Sequence, residues 1–392
     1  MIWVALGLSS TLWARAQDPA QGDLRSICLK MMMADAAQLA SLRPGFVLDT
    51  TYTHVVKTTP IQNQCAYGGC WVYGTLAHYE ALILGSTGKK IDLSEDYIIL
   101  ESLRLRALDA LEMPGQTVYE GGNTLAAAWI VHSVGAIPES VWKPRVNFRD
   151  PEQARRIVYF INARIAQFHV ETANVTDEAV KQALLQRART DVLDIVKTYA
   201  GDPPPEKFMY EGVEYTAKSF QQQFLPEAGK PIEYIAPPRP PLPDSLQALA
   251  KRAEGENLPR RSTIPDRGQI LKRKSLDEIK SEIVSRLARG ESVPASFEWV
   301  PAFMHKPSGA MTIDGFLRPE GVPIPAYRYR EAFGIGDGKH AVDIVGVRTD
   351  ADGKAVQFLI KNSHGERAGD EGFFHMSADY FDEFLMGIYV RP

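Results

Sequence analysis

A cysteine stands where a glycine-rich turn meets an apolar helix. The segment 63–71 reads NQCAYGGCW, and hydrophobic residues continue after it with helical spacing. The N-terminus of a helix carries unpaired N–H groups and the positive end of the helix dipole. Both favour the thiolate of Cys70, which is the form of cysteine that attacks a carbonyl group. The sequence therefore predicts a nucleophile at Cys70.

Attack on a carbonyl also requires hydrogen-bond donors for the oxyanion that forms. The backbone N–H of Cys70 is one candidate, and the side-chain amide of Gln64, six residues upstream, is a second. A lone cysteine is more often an inert buried residue. The catalytic interpretation depends on the turn and the glutamine occurring together with the cysteine.

A thiolate needs a base, and the base needs a group that orients it. His340 begins the apolar run 341–347, which is followed by the turn 350–353 and a second apolar run, 355–360. This pattern is typical of a β-hairpin. Pairing across the turn puts His340 opposite residues 362–366, where Asn362 lies. We predict a hydrogen bond between these two side chains that fixes the imidazole tautomer. Taken alone, His340 could equally be a strand histidine with a structural partner.

Helices precede strands along the chain, which predicts an α+β fold. Cap residues and apolar periodicity predict helices over 24–42, 70–84 (ended by Gly85), 94–112, 124–134, 151–171, 177–201 and 275–290. Alternating apolar residues predict strands near 292–299, 340–348, 355–361, 371–376 and 386–391.

Composition excludes several classes of protein. The 392 residues carry a net charge of −4 and are 45% hydrophobic, as in an ordinary globular chain. No apolar run reaches the roughly 18 residues of a membrane span. Residues 237–274 hold nine Lys/Arg against four Asp/Glu. We interpret them as a basic surface loop; a nucleic-acid patch is the alternative, but interleaved aromatics are missing. The spacing of His and Cys predicts no metal site, and no cofactor is expected.

The N-terminus resembles a secretory signal. Residues 2–8 are apolar, and the segment 14–16, Ala-Arg-Ala, offers a cleavage site, although no basic residue precedes Arg15. We predict a signal peptide over 1–16 and a secreted or periplasmic protein, with a plain N-terminal helix and a cytoplasmic protein as the alternative. In an oxidising compartment Cys28 and Cys65 could pair and leave Cys70 free.

Taken together, these segments resemble the papain-like cysteine peptidases. Three blocks match that family in order: Gln64 to Trp71, Gly338 to Ala341, and 361–365, Lys-Asn-Ser-His-Gly. The chain is most similar to the bleomycin hydrolase and aminopeptidase C branch. Further matches are the segments 120–123 (Glu-Gly-Gly-Asn), 134–138 (Val-Gly-Ala-Ile-Pro), 199–204 (Tyr-Ala-Gly-Asp-Pro-Pro) and 377–390.

The resemblance implies a two-lobed papain-like fold with a large helical insertion. We predict these segments: signal peptide 1–16, N-terminal segment 17–50, helical lobe 51–150, helical insertion 151–274 and β-rich lobe 275–392. It implies Cys70 as nucleophile, His340 as acid and base, Asn362 as the group that orients His340, and Gln64 in the oxyanion hole. The substrate, a peptide or protein, would be bound beside Gly69, Trp71, Gly121 and Gly122.

The sequence departs from the branch at three points. His364 stands where the family has a tryptophan that shields the His–Asn hydrogen bond, and Cys65 is an unusual neighbour of Gln64. The chain stops at Pro392, just after its last predicted strand, so the C-terminal arm that restricts the branch to aminopeptidase activity looks absent or much shortened. We therefore expect endopeptidase activity. The branch also implies a homohexamer. The alternative function is a weakly active or inactive papain-like scaffold that binds peptides or proteins.

Overall fold

The computed structural model describes residues 41–247, 271–318, 321–335 and 338–392. The longest helices lie in the first half of the chain, and the helices of the second half are shorter. They are α1 Cys70–Thr87, α2 Glu95–Glu112, α3 Thr124–Val134, α4 Pro151–Thr172, α5 Glu178–Ala200, α6 Ala217–Phe224, α7 Leu276–Ala288, α8 Tyr327–Phe333 and α9 Ala378–Phe384.

The strands form one large mixed sheet and a small separate hairpin. They are β1 His54–Val55, β2 Phe208–Tyr210, β3 Val213–Tyr215, β4 Glu233–Ala236, β5 Leu271–Arg273, β6 Val293–Glu298, β7 Met304–His305, β8 Ala310–Met311, β9 Lys339–Thr349, β10 Ala355–Lys361, β11 Phe373–Ser377 and β12 Leu385–Val390. The order in the sheet is β5-β4-β12-β6-β9-β10-β11-β8-β7, with β1 paired to β9, while β2 and β3 pair with each other. The predicted α+β fold class is confirmed.

Side-chain caps begin the helices at the predicted places. Ser94, Asn123, Asp150 and Asp177 each accept a hydrogen bond from the first turn of the helix that follows. Such caps satisfy N–H groups that have no partner within the helix. The prediction that α1 ends at Gly85 is wrong. The helix continues to Thr87 and ends at Gly88, whose φ of 71° is the left-handed conformation that glycine adopts without strain.

The hairpin β9–β10 forms as predicted and turns at 350–353. Lys361 pairs with Asp343, and register shifts interrupt the ladder between Ala355 and Gln357 and between Leu359 and Ile360. An extra residue in one strand changes which partner each later residue meets. The pairing nevertheless brings the end of β10 back to the start of β9, where His340 lies.

Helix α1 joins the two halves of the fold. It belongs to the apolar core built from α1 to α6, and it also packs against β9 of the sheet. A Cβ atom added at Gly74 would lie 3.3 Å from the backbone of Val342. Glycine at 74 therefore permits the close approach of helix and strand that brings the start of α1 next to the start of β9.

Several predictions concern residues outside the described part of the chain. These are the signal peptide over 1–16, the helix over 24–42, the pairing of Cys28 with Cys65, and most of the basic stretch, 248–270. The predicted domain boundaries, the secreted or periplasmic location and the homohexamer also stay predictions. Among the described helices, none is long and apolar enough to cross a membrane.

Candidate active site

Cys70 is the first residue of α1 and is partly buried. Gly69 precedes it at the cap position and provides no side-chain cap. A Cβ atom at Gly69 would lie 2.8 Å from the ring of Tyr67, so the turn into the helix requires glycine there. The N–H groups of Cys70 and Trp71 belong to the first turn, where a helix offers no carbonyl partner. Both N–H groups instead point to the cysteine sulfur.

Burial raises the pKa of the Cys70 thiol. The opposing contributions come from backbone N–H groups that point to the sulfur, first from Ala341 and then from Trp71 and Cys70 itself. The N–H groups of Trp71 and Cys70 lower the pKa of the thiol, as expected at a helix N-terminus, but desolvation outweighs them and the pKa is raised. The same contacts place the sulfur against the backbone of Ala341, the residue after His340.

His340 lies near the start of β9, is buried, and pairs across the sheet with Phe297 of β6. Its Nε2 atom is 2.8 Å from Oδ1 of Asn362, just beyond the end of β10. A carboxamide oxygen only accepts, so Nε2 must carry the proton and Nδ1 is left as the basic nitrogen. Burial lowers the pKa of His340 to about 4, although the bond to Asn362 acts in the opposite direction. The predicted pair is present in the structure.

Two aromatic side chains enclose this hydrogen bond. His364 stacks on His340 with ring centroids 4.9 Å apart and an angle of 10° between the planes. Trp299 meets His340 edge-on at 4.5 Å and reaches His364 at 6.1 Å. Trp299 follows β6, whose last residue, Glu298, is held by a buried ion pair with Arg330. The Trp299 indole, which follows β6, thus covers the His340–Asn362 region that a tryptophan at position 364 would shield in the family.

Gln64 is buried and its carboxamide is fixed at both ends. Its Oε1 accepts from the Ser363 hydroxyl at 2.5 Å, and its Nε2 donates to the Tyr67 carbonyl at 2.7 Å. The backbone N–H of Gln64 also donates to the carbonyl of Ser363 at 2.8 Å. The second N–H of the amide stays available to another acceptor. These bonds connect the loop before α1 to the segment that carries Asn362.

Gly121 and Gly122, which the resemblance assigns to substrate binding, lie against the rings of Tyr119 and Trp71 respectively. A Cβ atom at Gly122 would lie 2.4 Å from the indole ring, so only glycine fits there. The Trp71 Nε1 donates to the carbonyl of Glu120 at 2.9 Å, and the Gly68 N–H donates to the Glu120 carboxylate at 3.0 Å. The Arg106 guanidinium holds the carbonyl of Gly121 at 2.6 Å. The segment 120–122 is thereby fixed beside the start of α1.

Behind this site lies a group of buried ionisable side chains that the sequence did not predict. Glu80 of α1 binds the Thr59 hydroxyl, and Lys361 donates to the same hydroxyl at 2.8 Å. Glu95 and Asp343 are buried close by. Burial raises the pKa of Asp343 to about 8, against the Ser292 hydroxyl and the Lys361 ammonium. One signal was available, because Lys361 directly precedes Asn362 and ends an apolar strand. Within the described residues, no group of three or more His, Cys, Asp or Glu could hold a metal ion.

Comparisons of the sequence with a family model and with curated proteins find similar peptidases. A family model described as the Peptidase C1-like family matches residues 266–392. Aminopeptidase C of Lactococcus lactis subsp. lactis is 22% identical over 386 residues, which cover 89% of this chain and 83% of the relative. Mitochondrial cysteine proteinase 1 of Saccharomyces cerevisiae is 22% identical over 413 residues, covering 94% and 82%. Over most of its length the chain is therefore similar to the aminopeptidase C and cysteine proteinase 1 group of peptidases.

A solved structure supports the same fold. It is PepW from Lactobacillus rhamnosis, which superposes with a TM-score of 0.69 at 18% sequence identity and covers 99% of this chain and 93% of its own. The predicted papain-like fold and the predicted relation to the aminopeptidase C branch are confirmed. The relatives that match most of the chain are named as peptidases.

Proposed function

We propose that the protein hydrolyses peptide bonds with Cys70 as nucleophile, His340 as acid and base, and Asn362 as the group that orients His340. The hydrogen bond of 2.8 Å between His340 Nε2 and Asn362 Oδ1 carries this proposal. It leaves Nδ1 as the atom that exchanges protons. The Cys70 sulfur lies next to His340, against the backbone N–H of the following residue, Ala341.

The reaction begins with transfer of the Cys70 proton to Nδ1 of His340, which gives a thiolate and an imidazolium. The two charges stabilise each other, and this attraction offsets the burial that disfavours either charge alone. The thiolate attacks the carbonyl carbon of the substrate. The electron pair of the carbonyl moves to oxygen, where the Cys70 N–H and the free amide N–H of Gln64 can donate to the oxyanion.

Collapse of the tetrahedral intermediate breaks the C–N bond. The imidazolium gives its proton to the departing amine, and an acyl-enzyme remains on the sulfur. His340 then takes a proton from water, hydroxide attacks the thioester, and the proton returns to the sulfur as the acid is released. Gly121 and Gly122 would offer backbone groups to an extended substrate, beside the Trp71 indole.

A Cys70→Ala variant tests the proposal. We expect it to lose at least about 10⁴-fold in kcat/KM, since removal of a nucleophile leaves only binding and oxyanion stabilisation. The matched control is Cys65→Ser, which alters the exposed cysteine five residues away and should leave turnover unchanged. Full activity in Cys70→Ala would refute the assignment.

Hydrolysis of two matched peptides, one with a free amino terminus and one acetylated, shows where the protein cleaves its substrate. Endopeptidase activity, which the sequence led us to expect, requires that both are cut. Cleavage of the free peptide alone would make the protein an aminopeptidase, as its relatives in Lactococcus are named.

An inactive scaffold is the second candidate, and one observation favours it. Burial raises the pKa of the Cys70 thiol and lowers that of His340, so each residue alone prefers its neutral form. Reaction of Cys70 with iodoacetamide at pH 7 separates the two functions. Rapid alkylation indicates a thiolate and supports catalysis, whereas an unreactive thiol together with retained peptide binding supports the scaffold.

A further inference from the structure

His364 shares a carboxamide with the proposed base. Asn362 Oδ1 faces His340, and Asn362 Nδ2 lies 2.9 Å from Nδ1 of His364. Because an amide nitrogen only donates, Nδ1 of His364 has to accept, and its proton therefore sits on Nε2. The three side chains form a directed sequence of hydrogen bonds from His340 through Asn362 to His364.

This chain of hydrogen bonds allows only one protonation state of the His364 ring. A proton added to Nδ1 of His364 would place two donors face to face across 2.9 Å. Rotation of the carboxamide would relieve that contact but would turn Nδ2 toward His340 Nε2, which is also a donor. The carboxamide has one oxygen, so it cannot accept from a protonated His340 and a protonated His364 together. The two rings are also stacked at 4.9 Å, where two positive charges repel.

We propose that His364 is a positioning residue that holds Asn362 in the orientation His340 needs only while its own ring is neutral, so that a proton on His364 removes the thiolate–imidazolium pair. This inference rests on the function proposed above and adds an acid-sensitive control to it. The tryptophan of the family cannot act in this way because its ring nitrogen does not titrate.

The surroundings of His364 agree with this role. The charged groups that act on it are His340, stacked on it from β9, and Lys306 in the loop after β7. Both are positive when charged, and with burial they lower the pKa of His364 to about 4. Its remaining neighbours are uncharged, since Trp299 packs edge-on and Asn63 pairs with it through the backbone. No carboxylate acts on the ring among the described residues.

The pH dependence of Cys70 alkylation by iodoacetamide tests the inference without a peptide substrate. It is measured in a background with Cys28→Ser and Cys65→Ser so that the other two thiols do not contribute. His364→Asn keeps an acceptor near the position of Nδ1 but cannot titrate. We expect the midpoint of its acid limb to lie about one pH unit below that of the parent. His54→Asn, a histidine on β1, is the control and should not move the midpoint.

The outcomes separate this inference from the proposed function. Coincident acid limbs in the parent and His364→Asn overturn the inference, even when peptides are hydrolysed. A shifted limb without hydrolysis keeps the inference and rejects the peptidase assignment. Should the variant fail to fold, nitrogen NMR of the histidine rings in the unmodified protein decides. A proton on Nε2 of His364 at neutral pH supports the inference, and a proton on Nδ1 overturns it.

Discussion

Two groups of buried polar side chains share strands β9 and β10 but satisfy their polar atoms in different ways. In the first, called here the catalytic group, His340, Asn362 and His364 are joined by directed bonds of 2.8 and 2.9 Å. In the second, the carboxylate group, the buried acids Glu80, Glu95 and Asp343 face the buried cation Lys361, and the half-buried Asp92 also acts on it. Lys361 and Asn362 are neighbours in sequence, so the two groups begin one residue apart.

The difference lies in charge. The catalytic group is neutral at rest, and each ring has one proton whose position the carboxamide dictates. The carboxylate group has three acids for one base, and burial penalises any charge that is not compensated. Its acids respond by keeping their protons, since burial raises the pKa of Glu95 well above its usual value and that of Asp343 to about 8. We infer that directed hydrogen bonds prepare a site for proton transfer, whereas unbalanced charge makes stability depend on pH.

The sharpest test of the catalytic group is Asn362→Ala. Without the carboxamide, the His340 ring loses the acceptor that fixes its tautomer, and we expect a fall of about 10³-fold in kcat/KM, within the range of general acid–base catalysis. We expect the loss in the free energy of unfolding to be much smaller than the loss in transition-state stabilisation that this fall represents. Asn174→Ala, an exposed position between α4 and α5, is the control. An unchanged kcat/KM in Asn362→Ala would show that His340 needs no orienting group.

Lys361→Met tests the carboxylate group. Removing the buried cation leaves Glu80, whose pKa Lys361 holds down against burial, without compensation, and breaking such a pair costs about 3–5 kcal/mol. We expect a loss of this size in the free energy of unfolding by urea at pH 7. The exposed Lys354→Met should change it by less than about 0.5 kcal/mol. Equal effects in the two variants would mean that Glu80 also holds its proton and needs no partner.

Asp343→Asn tests the pH dependence itself. The folded protein keeps the Asp343 proton up to about pH 8, while the unfolded chain releases it near the ordinary aspartate pKa of 3.8. The native state binds more protons in this window, so stability falls as pH rises, by about 1.4 kcal/mol per unit. Between pH 5 and 7 the parent should lose about 3 kcal/mol more than Asp343→Asn. The exposed Asp352→Asn should follow the parent. Parallel stability curves for the parent and Asp343→Asn would contradict this account.

The sequence predicted the catalytic group better than the carboxylate group. Cys70, His340 and Asn362 lie at places that local rules determine: a glycine turn, the start of a strand and the far end of its hairpin partner. Trp299 was missed because it reaches His340 from β6, and the pairing of β6 with β9 spans some forty residues of chain. The sign of the Cys70 pKa shift was also missed, because burial depends on packing that a local motif does not contain. Glu80 and Lys361 look like surface residues by type, and only the fold places them together.

The smallest effect concerns the contact between α1 and β9 that brings both groups into place. A Cβ atom at Gly74 would lie 3.3 Å from the Val342 backbone, whereas Gly85 in the same helix has open space. Gly85→Ala should therefore stabilise the protein by about 0.5–1 kcal/mol, the ordinary gain of alanine over glycine within a helix. Gly74→Ala has the same intrinsic gain but must push the helix from the strand, which we expect to cancel the gain and leave stability unchanged or about 1 kcal/mol lower.

The two alanine variants differ more in activity than in stability. A shift of a few tenths of an ångström between α1 and β9 moves the Cys70 sulfur relative to His340, and catalytic geometry is sensitive to such displacements. We expect kcat/KM to fall about tenfold in Gly74→Ala and to stay unchanged in Gly85→Ala, measured alongside urea unfolding of both proteins. If Gly74→Ala gains stability and keeps its activity, the close approach of helix and strand does not set the distance between nucleophile and base, and the bonds from Gln64 to Ser363 would have to do so instead.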